Sequence, residues 1–216
     1  MDNVACKICN SETKVIEDQQ FNLNYYWCTN CEFIFIDENH IISGKDELKE
    51  YVKHENSFEN EGYVNMFKRF IETSIGPYKT NIRNVLEFGC GPGPVLAKLL
   101  KNEGFEVDMY DPYFAPERVF ENKEYDLITS TEVFEHFKDP MDNIRLLKEH
   151  LNDNGLLAIM TLFHPKDEEK FKNWWYRRDV THISFYTPET FRYIADELEM
   201  KVLKIDNRNI CVLQNS

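Results

Sequence analysis

The chain has 216 residues, of which 42% are hydrophobic and 14% aromatic, and a formal net charge of -13. That length suits one well-buried domain with a small appendage, and the composition is that of a folded globular protein rather than a disordered chain. The acidic balance repels a phosphate backbone at long range and disfavours a generic nucleic-acid binder. No apolar run approaches the ~20 residues of a membrane span, and Met1–Asn10 has neither the basic start nor the apolar stretch of a signal peptide. The expectation is a soluble, cytoplasmic protein that does not engage membranes.

In chain order, the first feature is a pair of knuckles, CKIC with Cys6 and Cys9 and CTNC with Cys28 and Cys31, eighteen residues apart. Two such pairs can direct four thiolates to one point, the tetrahedron that zinc prefers; disulfides are the alternative, and a reduced cytosol disfavours them. A four-thiolate site has no open position, so the zinc is expected to be structural. Aromatic FNLNYYW between the knuckles and FIFI after them predict short strands, giving a zinc ribbon over residues 1–40. From Met1 to His40 two lysines face seven acidic residues, so this ribbon is a poor grip for phosphates. Cys90 and Cys211 stand apart and read as ordinary thiols in apolar surroundings.

Residues 41–80 read as a connector followed by N-terminal helices. A polar stretch near residues 39–50 precedes GYVNMFKRFIETSI, whose Val64, Phe67, Phe70, Ile71 and Ile75 recur close to helical spacing. From residue 81 onward strands and helices alternate: a strand at 85–88, a helix at 94–102, strands at 106–110 and 125–130, a helix at 140–151 and a strand at 156–162. MKVLKID and ICVLQ, joined by NRN, predict an antiparallel strand pair at the end. The pattern implies an α/β fold, a doubly wound and mainly parallel sheet of Rossmann-like type with an antiparallel C-terminal pair.

In such a sheet the ligand lies beyond the carboxyl ends of the strands where strand order reverses. VLEFGCGPGPVL places Gly89, Gly91 and Gly93 there, and Pro94 suits the first turn of a helix. A nicotinamide-type fingerprint requires glycine or alanine where Pro94 stands. Asp111 closes the next strand, and a carboxylate there can accept the hydroxyls of an adenosine ribose; the plainer reading is a surface Asp-Pro turn. TSTEVFEHF, residues 129–137, then brings Glu132, Glu135 and His136 to the neighbouring strand end.

Taken together, VLEFGCGPG, Asp111, YDLITSTEVFEHF and LNDNGLLAIMT resemble the class I S-adenosylmethionine-dependent methyltransferases, closely over residues 85–161. The resemblance implies S-adenosylmethionine as cofactor. Glu87 and the loop of Gly89, Cys90, Gly91 and Gly93 would face its methionine part, and Asp111 its ribose. Thr131 and Glu132 would lie near the adenine, with Tyr110 and Pro112 on the other side of the ring. One departure is visible: only fourteen residues separate Asp111 from Asp126, too few for the usual strand and helix.

WWYRRDVTHISFYTPETF resembles a lid in a bacterial subgroup that joins a zinc ribbon to this domain, and the lid is expected at about 164–188. Trp174, Trp175, Tyr176, Arg177, Phe185 and Tyr186 either cover a flat acceptor there or serve as ordinary packing. His136, beside the cofactor, and His182, within reach of Asp179, are the candidate proton acceptors, against a role as wall or turn residues. His54 is a weaker candidate for closing the cofactor pocket. The expected function is methyl transfer to a small-molecule acceptor. An RNA or protein acceptor is the alternative, using the ribbon and the basic, aromatic stretch Lys170–Arg178. A non-catalytic cofactor-binding scaffold is the third reading, against which the intact glycines and Asp111 stand. The sequence carries no signal of oligomeric state.

Overall fold

The computed structural model describes residues 4–53 and 57–216. His54 lies outside the described residues. Three strands open the chain: β1 (Thr13–Asp18), β2 (Leu23–Cys28) and β3 (Ile34–Ile36). Alternation drives the first two, which turn Ile16, Tyr25 and Trp27 inward. The stretch read as a polar connector contains a helix, α1 (Gly44–Tyr51), whose first turn is capped by the Ser43 hydroxyl. α2 (Glu61–Phe70) buries Phe67 and Phe70 and runs on through a wider turn at Ile71–Ile75.

The larger unit continues with β4 (Asn84–Phe88), α3 (Val95–Asn102), β5 (Glu106–Tyr110), β6 (Tyr125–Thr131), α4 (Pro140–Glu149) and β7 (Leu151–Met160). It ends with α5 (Glu168–Asn173), β8 (Ser184–Phe185), α6 (Pro188–Glu197), β9 (Met200–Ile205) and β10 (Ile210–Asn215). Among the described residues six strands form one sheet in the order β5-β4-β6-β7-β10-β9. The pairs from β5 to β7 are parallel and the two involving β10 are antiparallel. β7 starts at Leu151, earlier than the apolar run at Leu156 suggests, because Leu151 itself pairs with Tyr125 of β6 before the register shifts. No helix occupies the short stretch between Asp111 and Tyr125, which is built of turns.

Strand periodicity sorts the core onto two faces. Val85 and Leu127 pack with Phe67, Phe70, Leu96 and Leu100 of α2 and α3. Leu86 and Ile128, one residue along, pack with Ile144 and Leu147 of α4 and with Phe191 and Ile194 of α6. β4 lies between β5, at the sheet edge, and β6, and the switch in strand order opens a crevice at their carboxyl ends.

The N-terminal strands are joined to this core. β3 pairs antiparallel with β8, opposing Ile34 to Phe185 and Phe35 to Ser184, so β8 is the fourth strand of the N-terminal sheet. Phe33 packs against Tyr186 with ring centroids 5.1 Å apart, and Cys6, Cys28 and Cys31 share a buried cluster with Phe134 and Phe191. Each large apolar side chain buried in this seam contributes about 1.5–3 kcal/mol.

Candidate active site

The crevice is a cavity of about 900 Å³, bounded by the loops after β4, β5 and β6, by α1 and α2, and by the segment between α5 and β8. Its volume is that of a cofactor-plus-substrate site. Gly89 adopts φ +86°, and a Cβ there would fall 2.2 Å from Cγ2 of Val133, so glycine is required by conformation and by space. Its amide donates to the Tyr110 carbonyl at 2.7 Å, which folds the loop back over β5. No side chain caps α3; the Val95 amide at its start donates instead to the Gly93 carbonyl at 2.7 Å.

Asp111 holds this loop in place. Its Oδ2 accepts from the Gly91 amide at 3.0 Å, and its Oδ1 from the amides of Tyr113 and Phe114 at 2.8 and 3.0 Å. A carboxylate has about four acceptor sites, so three internal bonds leave capacity for roughly one ligand hydroxyl. Glu87, behind the loop, is 4% exposed, and its Oε2 has no hydrogen-bond partner. Burial pushes its carboxyl up to about 8. An orphaned acidic group of this kind fits a cationic ligand, which would supply the missing counter-charge.

The other predicted cofactor residues, Cys90, Gly93, Tyr110, Pro112, Thr131 and Glu132, all line the same cavity. Glu132 adopts φ +55°, a left-handed conformation unusual for glutamate. Burial, then repulsion from Glu135, pushes its carboxyl up to about 8. Tyr176 donates its hydroxyl to Oε1 of Glu135, and the same hydroxyl lies 3.4 Å from Oε2 of Glu132.

His136, His182 and Asp179 also line the cavity. Nδ1 of His136 lies 2.9 Å from the Thr181 carbonyl, and Nδ1 of His182 lies 2.8 Å from the Tyr176 carbonyl. Carbonyls only accept, so in both rings Nδ1 carries a proton and Nε2 is the atom left to face the cavity. Burial holds the His182 imidazole below its usual range, in the neutral form. Burial opposes ionisation of Asp179, but the hydroxyl and the amide of Thr181, both donating to its Oδ1, outweigh it and hold its carboxyl below the usual range. Oδ2 of Asp179 stands 3.8 Å from Nε2 of His182, close enough to polarise the ring without a direct hydrogen bond.

The expected lid residues divide. Trp175, 65% exposed, and Tyr176 border the cavity, whereas Trp174, Arg177 and Tyr186 do not. Arg177 is buried in an ion pair with Asp18 of β1, and its Nε donates to the carbonyls of Phe171 and Lys172. Tyr186 donates to the Phe134 carbonyl at 3.0 Å inside the core. Lys172, another member of the basic stretch, pairs with Glu168 and Glu169. Glu47 and Tyr51 of α1 and Tyr113 complete the wall. The Tyr113 hydroxyl donates to Glu47, and Tyr51 meets His136 edge-on at 5.2 Å. The i, i+4 pairing of Glu47 with Tyr51 is the one local signal that could have identified them.

At the other side of the seam, Cys6, Cys9, Cys28 and Cys31 bring their sulfurs within 4.8 Å of one another. The Ile8 amide donates to Sγ of Cys6, and the amides of Asn30 and Cys31 to Sγ of Cys28, each at 3.4 Å. The Cys31 thiol draws Cys6 down to about 6, while burial pushes Cys28 up to about 11. A divalent cation would be needed to ionise all four, and the donor set is compatible with zinc.

No protein of curated function matches this sequence. Among solved structures, an O-methyltransferase family protein from Burkholderia thailandensis is similar at TM-score 0.53 and 16% identity, over 70% of this chain and 55% of that one. TnmH is similar at TM-score 0.51 and 14% identity, over 70% and 56%. The magnesium protoporphyrin IX methyltransferase ChlM from Synechocystis PCC 6803, solved with S-adenosylhomocysteine, is similar at TM-score 0.53 and 14% identity, over 83% of this chain and 97% of that one. The chain thus spans little more than half the length of the first two relatives, and at these identities all three attest the fold. A family model described as a methyltransferase domain matches residues 58–205, most of the chain and every loop of the cavity except α1. The chain belongs to the S-adenosylmethionine-dependent methyltransferase family.

Proposed function

We propose that this chain transfers a methyl group from S-adenosylmethionine to a small-molecule acceptor, with a structural zinc at Cys6, Cys9, Cys28 and Cys31. The observation that carries the reading is one cavity of about 900 Å³ in which the glycine loop and Asp111 share walls with His136, His182 and Trp175. Cofactor and acceptor groups thus face a common space small enough for a compact acceptor.

When bound, the cofactor supplies a methyl group on a positively charged sulfur. Glu87 offers the counter-charge behind the loop, and Asp111 keeps one acceptor site for the ribose. Thr131, Glu132, Tyr110 and Pro112 are assigned to the adenosine. Tyr176 and Trp175 exclude water from the acceptor side. Alignment of acceptor, methyl and sulfur in such a dry space is worth about 7–11 kcal/mol. Nε2 of His136 or His182 is in position to take the acceptor's proton, a contribution of roughly 10²–10⁴-fold where the acceptor is a weak acid.

The RNA alternative draws on four cations between Lys170 and Arg178, but Arg177 is buried against Asp18 and Lys172 is paired with two glutamates. The test is transfer of radiolabelled methyl from S-adenosylmethionine into a fractionated bacterial extract, with Asp111→Ala as the blank. Label in the low-mass fraction is expected. Label in RNA or protein would overturn the acceptor class, and cofactor binding without any transfer would favour the scaffold reading.

A further inference from the structure

Two histidines that the proposed mechanism uses singly stand, in one wall of the cavity, beside a glutamate that it leaves unused. Glu135, His136 and His182 each present a ligand atom, and these atoms lie within 4.8 Å of one another. The geometry points to a second metal site, distinct from the four cysteines, in which Glu135, His136 and His182 bind a divalent cation of the Mn²⁺ type, with Glu132 beside it.

The orientation of each ligand supports this. Both imidazoles are tied through Nδ1 to backbone carbonyls, at 2.9 Å for His136 and 2.8 Å for His182. That is the outer-shell arrangement that fixes a metal-binding histidine and leaves Nε2 free. Glu135 is 0% exposed, and it too is held, by the Tyr176 hydroxyl on Oε1 and the Thr161 hydroxyl on Oε2 at 2.9 Å. Each of its oxygens still has a lone pair to give.

Charge gives a second argument. Among the described residues, no lysine or arginine forms an ion pair with Glu132 or Glu135, although the two carboxyls are near enough to repel each other. Ionising both carboxyls there without a cationic partner is costly, and a divalent ion offsets that cost. Two imidazoles and a carboxylate suit a divalent transition ion with open positions, unlike the closed four-thiolate set. The open positions face the cavity, so the acceptor class that goes with the ion is a hydroxyl compound bound through oxygen. That assignment of acceptor rests on the methyl-transfer reading; the cation site itself does not. It changes the role of the two histidines from proton acceptors to ligands.

The test uses the full chain with zinc already at the cysteines, titrated with Mn²⁺ and followed by the electron paramagnetic resonance signal of the free ion. One Mn²⁺ per chain is expected, and His136→Asn and His182→Asn should each weaken binding at least tenfold. Pulsed resonance on the unmodified protein should detect imidazole nitrogen coupled to the Mn²⁺, a readout that does not depend on how the variants fold. Absence of Mn²⁺ binding, absence of nitrogen coupling, or equal binding by folded variants would overturn the site. S-adenosylhomocysteine is titrated into the same sample. A chain that binds S-adenosylhomocysteine but not Mn²⁺ overturns the cation site alone, while one that binds Mn²⁺ but not S-adenosylhomocysteine supports this site and counts against the methyl-transfer reading.

Discussion

Replacing Arg177 by methionine tests whether the segment between α5 and β8, which borders the cavity, is pinned to the N-terminal sheet. The Arg177 and Asp18 side chains are 1% and 3% exposed, so the substitution leaves a carboxylate buried without its counter-charge. Breaking a pair of this kind costs about 3–5 kcal/mol. Methionine fills much of the arginine's volume, so little of that cost comes from a cavity. In a protein of this size each kcal/mol moves the melting temperature by about 2–4 °C, so the predicted drop is roughly 6–20 °C. The assay is thermal unfolding by circular dichroism on zinc-loaded protein, run as a double-mutant cycle with Asp18→Asn. Asparagine keeps the oxygen that accepts from the Gln20 amide at 2.8 Å but removes the charge. The double variant should therefore recover most of the loss. A single variant melting within about 4 °C of the parent, less than the smallest shift predicted from these slopes, would refute the reasoning.

Four further outcomes are expected at the cavity and the cysteine cluster. Asp111→Ala should weaken S-adenosylhomocysteine binding by at least a hundredfold in calorimetry, because three amides lose their acceptor and the glycine loop its anchor; Asp111→Asn should lose less. Gly89→Ala should abolish binding through the clash with Val133, and retained affinity would show that the loop relaxes. Burial raises the folded pKa of Glu87 to about 8, above the unfolded value. The ligand-free protein should therefore lose stability as pH rises from about 4.5 through 8. A cationic ligand favours the ionised form, so affinity for S-adenosylmethionine should rise from pH 6 to 9 with release of a proton, and Glu87→Gln should flatten both trends. Metal analysis should find one zinc per chain, and Cys28→Ser should lower the melting temperature. A stable, metal-free chain would remove that assignment.

What could be read in the sequence was what local chemistry dictates. Gly89, Gly91 and Asp111 reveal a loop because the turn and the carboxylate that anchors it lie within one strand-helix-strand unit. The cysteine spacing reveals a cluster for the same reason. Long-range partners were not legible. Arg177 looks like a surface cation of a basic stretch, and its partner Asp18 is 159 positions away. β8 has two residues, too few to show a period, and is a strand only because β3 lies beside it. His136 and His182 could be named as reactive groups, but their rings meet at 5.0 Å only because Ile183 donates its amide to the Glu135 carbonyl. Glu47 was hidden by the polarity of α1, which gives no apolar stripe to read.

The pairing of β3 with β8 bears on how such a chain can be inherited. A recombination breakpoint near residue 40 would cut through one continuous sheet, parting Ile34 from Phe185 and Asp18 from Arg177. An N-terminal piece from another relative would have to match the new host strand for strand and charge for charge. The cysteine segment is therefore not an exchangeable cassette, and substitutions in it and in the segment from α5 to β8 should co-vary as a single unit of descent.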